Sequence, residues 1–137
     1  MNWKKHRTSL ILPVLVLGLV VVVACSGGTA FQGRELDSPD IAPPFQLENQ
    51  FSNLVSLSDF AGKVVVLTFL YTYCPDICPI MAETLRRTHE LLGDDRAEVQ
   101  FLAISVDPQR DTVERAYEYS QDRGMLDKWH YLVGTEE

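Results

Sequence analysis

The sequence predicts an α/β fold, with an antiparallel β-hairpin leading into a β-α-β-α-β run that forms a largely parallel sheet. Three observations carry this. Two apolar runs rich in β-branched residues, VVVLTFLY (64–71) and VQFLAISV (99–106), read as strands buried on both faces, as in the centre of a parallel sheet. Helical spacing follows the first run over residues 79–92, with Met81, Leu85 and Leu92 on one side and Glu83, Arg86, Arg87 and Glu90 largely on the other. A second helix follows the second run, with Asp111 and Glu114 as its predicted cap and Gly124 as its stop. WHYLV (129–133) then supplies a third strand.

Before this core the elements come in a readable order. Lys4, Lys5 and Arg7 precede an apolar run from Leu10 to Val23, shorter than the roughly 20 residues a membrane span needs. That pattern fits a secretory signal over residues 1–24. The run ends in VVAC (22–25) directly before SGG, which resembles a lipobox: cleavage before Cys25 would leave its thiol to carry lipid. The competing reading is an uncleaved short anchor. Either reading places the body outside the cytoplasm. Residues 25–44 are rich in Gly, Ser, Pro and acid, without apolar period, and read as a flexible tether. The folded body is expected over 45–137. FQLENQFSNLVSL (45–57) opens it as the hairpin, turning near Asn49–Asn53.

The chain has 137 residues, 12 basic and 19 acidic, for a net charge of −7. Three of the basic residues and none of the acidic ones lie in the signal, so residues 25–137 carry 9 and 19, a net charge of −10. So acidic a body argues against nucleic-acid binding, which needs Lys and Arg to neutralise phosphates.

Two of the three cysteines fall in YTYCPDICPIM (71–81), with three residues between them and a proline after each. If Cys25 carries lipid, Cys74 and Cys78 remain as a pair in a compartment that permits a disulfide. They lie past the C-terminal end of a predicted parallel strand, the edge where open α/β sheets gather their functional sites. Pro79 suits a first helical turn, where a missing N–H costs nothing. Cys78 should therefore lie near unpaired amides and the positive end of the helix dipole, which favour thiolate; Asp76 opposes that shift. Disulfide, metal site and catalytic thiol all remain open. A disulfide across four helical residues needs some tightening, since their Cβ atoms sit about 5–6 Å apart and a disulfide needs about 3.5–4.5 Å. As metal ligands, thiolates select Cu(I), zinc or iron–sulfur clusters. Zinc and clusters usually take four protein ligands, so copper is the ion best served by this pair.

FLYTYCPDICPIM, ISVDPQRDT and WHYLVGT together resemble the SCO/SenC family, thioredoxin-like proteins that assemble cytochrome c oxidase. The resemblance runs from about Phe45 to the last residue, and its two motif blocks are specific. It implies a thioredoxin-like fold and a membrane-tethered copper chaperone in which Cys74 and Cys78 bind copper and cycle to a disulfide. It further implies, as partner, the oxidase subunit that holds the dinuclear copper centre. Two other functions use the same residues: a thiol–disulfide oxidoreductase without metal and, more weakly, a peroxiredoxin-like peroxidase.

The family completes its copper site with a histidine on a later loop, beyond residue 137. None of the three histidines here is expected to replace it. His6 belongs to the signal, His89 lies about 16 Å along the helix from Cys78, and His130 starts the third strand at the opposite pole. Met81, one turn beyond Cys78, is expected to be core. The fold is thus expected to be C-terminally incomplete, with VVVLTFLY left as an apolar edge and the isolated 137-residue chain unable to fold alone. Asp107, Pro108 and Arg110 are expected to serve turn chemistry and capping, and Tyr71 and Tyr73 to shield the cysteines.

Overall fold

The structure, a computed structural model, describes residues 33–134. The predicted signal, Cys25 and the start of the tether lie outside the described residues. The chain divides into two units, Met1–Asp40 and Ile41–Glu137. Within the first, residues 33–40 are exposed and contain no helix or strand. Among the described residues no helix is long and apolar enough to cross a membrane.

The hairpin forms where its turn residues predict it. Strand β1 (Gln46–Asn49) pairs antiparallel with β2 (Leu54–Ser56). Asn49 shapes the turn, its side-chain oxygen accepting from the N–H groups of Phe51 and Asn53 at 2.9 and 3.0 Å. A 3-10 turn over Leu57–Phe60 leads to β3 (Val64–Leu70). Helix α1 (Ile77–Leu91), β4 (Val99–Ser105), helix α2 (Val113–Asp122) and β5 (Trp129–Val133) complete the order. The five strands form one sheet in the order β2-β1-β5-β4-β3; β3, β4 and β5 are parallel, and β1 is antiparallel to β5. The thioredoxin-like α/β class is the fold observed.

Alternation along the strands divides the core between the two sheet faces. Leu70, Phe101, Ala103 and Tyr131 pack with Cys78 and Ala82 of α1 and Ala116 and Tyr119 of α2. The opposite face packs Val55, Phe60, Leu102 and Leu132, with Val65 and Ile104 at its margin. Gln50 locks the hairpin to β5: its amide donates to the carbonyls of Trp129 and Leu126 at 2.9 and 3.2 Å and accepts from the Tyr131 N–H at 2.8 Å. Trp129, Tyr119 and Tyr131 form an aromatic cluster with ring centroids 5.8–6.4 Å apart. Each such pair adds about 0.5–1.5 kcal/mol beyond area burial.

Three expectations are corrected. The run VVVLTFLY is not the doubly buried strand its composition suggests, but it is the apolar edge expected of it: β3 is the sheet's outer strand among the described residues, ends at Leu70, and leaves Val64, Leu67 and Phe69 at 62, 38 and 59 % exposure. Apolar composition marks a strand, but which neighbours cover it is a property of the whole chain. Helix α1 starts at Ile77, two residues earlier than expected, and Pro79 still falls in the first turn. Asp111 does not cap α2. Thr112 does, its hydroxyl accepting from the Arg115 N–H at 3.2 Å, while Asp111 is buried. Gly124 ends the helix as expected, at φ +64° in the left-handed region.

Candidate functional site

The turn from Tyr71 to Asp76 joins the C-terminal end of β3 to α1, and both cysteines sit there. The Cys74 N–H closes the turn onto the Tyr71 carbonyl at 3.3 Å. Cys78 is the second residue of α1, with its side chain in the core at 3 % exposure; Cys74 lies nearer the rim at 8 %. Both are free thiols. The Cys78 N–H donates to the Cys74 sulfur at 3.4 Å, so that sulfur takes the place of a helix cap; the Asp76 side chain makes no capping bond.

This geometry reverses the expected roles of the two thiols. The amides at the start of α1 meet the sulfur of Cys74, not that of Cys78. A hydrogen bond from the Cys78 thiol, followed by those from the backbones of Asp76 and Cys78, lowers Cys74 to about 7. Cys78 moves up, first because it is buried and next because its thiol donates to Cys74. One sulfur is thus prepared as a thiolate at neutral pH, and its neighbour keeps its proton. The expectation of a thiolate at Cys78 fails because spacing does not show which sulfur turns back toward the helix start.

The residues around the pair separate into distinct roles. Tyr71 is half-buried, and its phenol moves up, chiefly through its hydrogen bond to Cys74. Tyr73 is exposed, with the guanidinium groups of Arg110 and Arg115 over its ring at 5.2 and 5.0 Å. Arg110 Nε donates to Asp107 Oδ2 at 2.6 Å, and the Asp107 carbonyl accepts from the N–H groups of Arg110 and Asp111. This part of VDPQRDT is turn chemistry, as expected. Asp111 was missed: it reaches back 39 residues to Thr72 and also bonds Ser105 and Tyr131. Only its place at the end of that motif hinted at it.

Among the described residues no group of three or more His, Cys, Asp or Glu side chains converges on a metal position. The two sulfurs alone suit a soft monovalent ion such as Cu(I). His89 packs against Phe101, its ring 6.1 Å away, while His130 bonds the Asn49 amide at 3.0 Å and lies against Phe60. Both belong to the pole opposite the cysteines, and His6 lies outside the described residues. Met81 is half-buried, one turn beyond Cys78.

The SCO1/SenC family profile matches residues 33–137. A SCO1 protein homolog from Bacillus subtilis is 27 % identical over 126 residues, covering 90 % of this chain and 63 % of the relative. The solution structure of apo Sco1 from Thermus thermophilus matches with a TM-score of 0.69 and 35 % identity, over 80 % of this chain and 62 % of that one. Yeast Sco1 with copper bound matches with a TM-score of 0.63 and 30 % identity, over 72 % of this chain and 61 % of that one. The chain thus spans about three fifths of the length of these relatives.

Proposed function

The chain belongs to the SCO1/SenC family, and from that premise we propose that it is a membrane-tethered copper chaperone that grips Cu(I) between Cys74 and Cys78 for assembly of the copper centre of cytochrome c oxidase. The observation that carries this reading is the pairing of two soft sulfurs at the C-terminal edge of the parallel strands, one of them lowered to about 7. A relative solved with copper bound supports the choice of ion. Family membership supports a partner in cytochrome c oxidase assembly, and the copper-receiving subunit is part of the proposal. The tether follows from the sequence pattern around Cys25.

In this scheme Cu(I) is cargo. Cys74 meets it as a thiolate and Cys78 gives up a proton to become the second ligand, so loading releases protons and weakens as the pH falls. Cys74, nearer the rim, is the sulfur through which the ion enters and leaves.

The test is a competition titration of the reduced protein with Cu(I) and a chelator of known affinity. One ion per chain is expected, lost in both Cys74→Ser and Cys78→Ser. Failure to outcompete a simple dithiol chelator removes the chaperone reading. A second reading, a thiol–disulfide oxidoreductase without metal, draws on the unequal acidity of the two thiols, which is the arrangement an attacking and a resolving cysteine require. It predicts turnover of disulfide substrates without copper.

A further inference from the structure

Asp111 is 3 % exposed, and its carboxylate accepts four kinds of hydrogen bond, all from uncharged donors. The Thr72 N–H reaches Oδ1 and Oδ2 at 3.1 and 3.2 Å, and the Thr72 hydroxyl reaches Oδ1 at 2.6 Å. The Ser105 and Tyr131 hydroxyls reach Oδ2 at 2.6 and 2.8 Å. A buried carboxylate is costly to desolvate. Here it meets one backbone N–H and three hydroxyls, and its two oxygens can accept from all four. The result is a brace joining the cysteine turn, the end of β4, the middle of β5 and the start of α2.

The brace bears on the pair through Thr72, two residues before Cys74. Cys74 precedes α1, which starts at Ile77, so the turn and not helical geometry sets its distance from Cys78, and a disulfide needs Cβ atoms about 3.5–4.5 Å apart. Something must hold the turn in. We propose that Asp111 is a positioning residue for the thiol pair: by gripping Thr72 through backbone and hydroxyl, it keeps the Tyr71–Asp76 turn tight enough for Cys74 and Cys78 to close into a disulfide. This rests on the reading that the two cysteines work as a pair, and does not depend on copper.

The test is a redox equilibrium in glutathione buffers, read by alkylating the remaining thiols after an acid quench. The S–S bond of oxidised glutathione breaks as the Cys74–Cys78 bond forms; two electrons and two thiol protons end on two glutathione thiols. Asp111→Asn and Thr72→Val should each shift the equilibrium constant toward the dithiol by about tenfold, equivalent to about 30 mV. Thr72→Ser, which keeps the hydroxyl, should stay within twofold of the wild type. The proposal is overturned if either folded variant stays within twofold, or if Thr72→Ser shifts as far as Thr72→Val. Should Asp111→Asn fail to fold, the two Thr72 variants decide alone. If the wild type forms no intrachain disulfide at any buffer ratio, the pair reading itself has failed, and the inference with it.

Discussion

Raising the pH should switch on one cysteine well before the other. Cys74 is lowered from an ordinary value of 9.0 to about 7, whereas Cys78 is raised. At pH 7 about half of Cys74 is then thiolate, against about one part in a hundred for an unshifted thiol, a gain of about fifty-fold. A less basic thiolate is also a weaker nucleophile: with a Brønsted slope of about 0.4–0.5, two pKa units give back a factor of about six to ten. The net expectation is that Cys74 reacts with an aromatic disulfide reagent about five to eight times faster at pH 7 than an unshifted thiol of equal exposure. Absorbance-detected rates between pH 5 and 9.5, with mass spectrometry to locate the adduct, should show a midpoint near 7 at Cys74. Because the largest cause of the shift is the hydrogen bond from Cys78, Cys78→Ala should move that midpoint up, and Cys78→Ser, which keeps a donor, should move it less. A midpoint near 9, or first labelling at Cys78, would refute the assignment of roles. The linkage sign agrees: a thiol acidified by folding adds stability that is complete above pH 9 and is lost as the pH falls through about 7, while Cys78 works in the opposite sense.

Two further outcomes follow from the fold. Gln50→Leu keeps the side-chain volume but orphans the buried Tyr131 N–H; the loss should be about 1–3 kcal/mol in urea unfolding at unchanged m-value, and a change below about 0.5 kcal/mol would show that the amide is dispensable. Phe69→Lys places a charge on the outer strand at a residue already 59 % exposed; it should raise the concentration at which the protein aggregates without changing its circular dichroism, and an unchanged aggregation threshold would show that this edge is not the adhesive surface.

The parts of the fold that rest on local chemistry were legible in the sequence. The turn at Asn49–Asn53, the strand at 129–133 and the stop at Gly124 follow from side chains acting on their own neighbourhood. The start of α1 at Ile77 is a local boundary misplaced by two residues, while the other misreadings turn on partners distant in the chain. Nothing in VVVLTFLY tells whether a strand lies on each side of it, and nothing in the neighbours Asp111 and Thr112 tells which one caps the helix. The site followed the same division. The position of Cys74 and Cys78 at a strand-to-helix turn was readable, but which sulfur receives the amides was not. The grip of Asp111 on Thr72 depends on β3 and β4 pairing side by side, and residue spacing along the chain does not reveal that.

Since β1 runs opposite to β3, β4 and β5, its first residue, Gln46, enters the sheet at the end where the cysteines lie. A protein held to a bilayer from upstream of this strand would hang with its sulfurs toward the lipid headgroups. The working distance would then be set by the length of chain between that attachment and the strand. Shortening residues 25–44 would bring the thiols closer to the surface, and lengthening them would widen the zone those thiols can sweep.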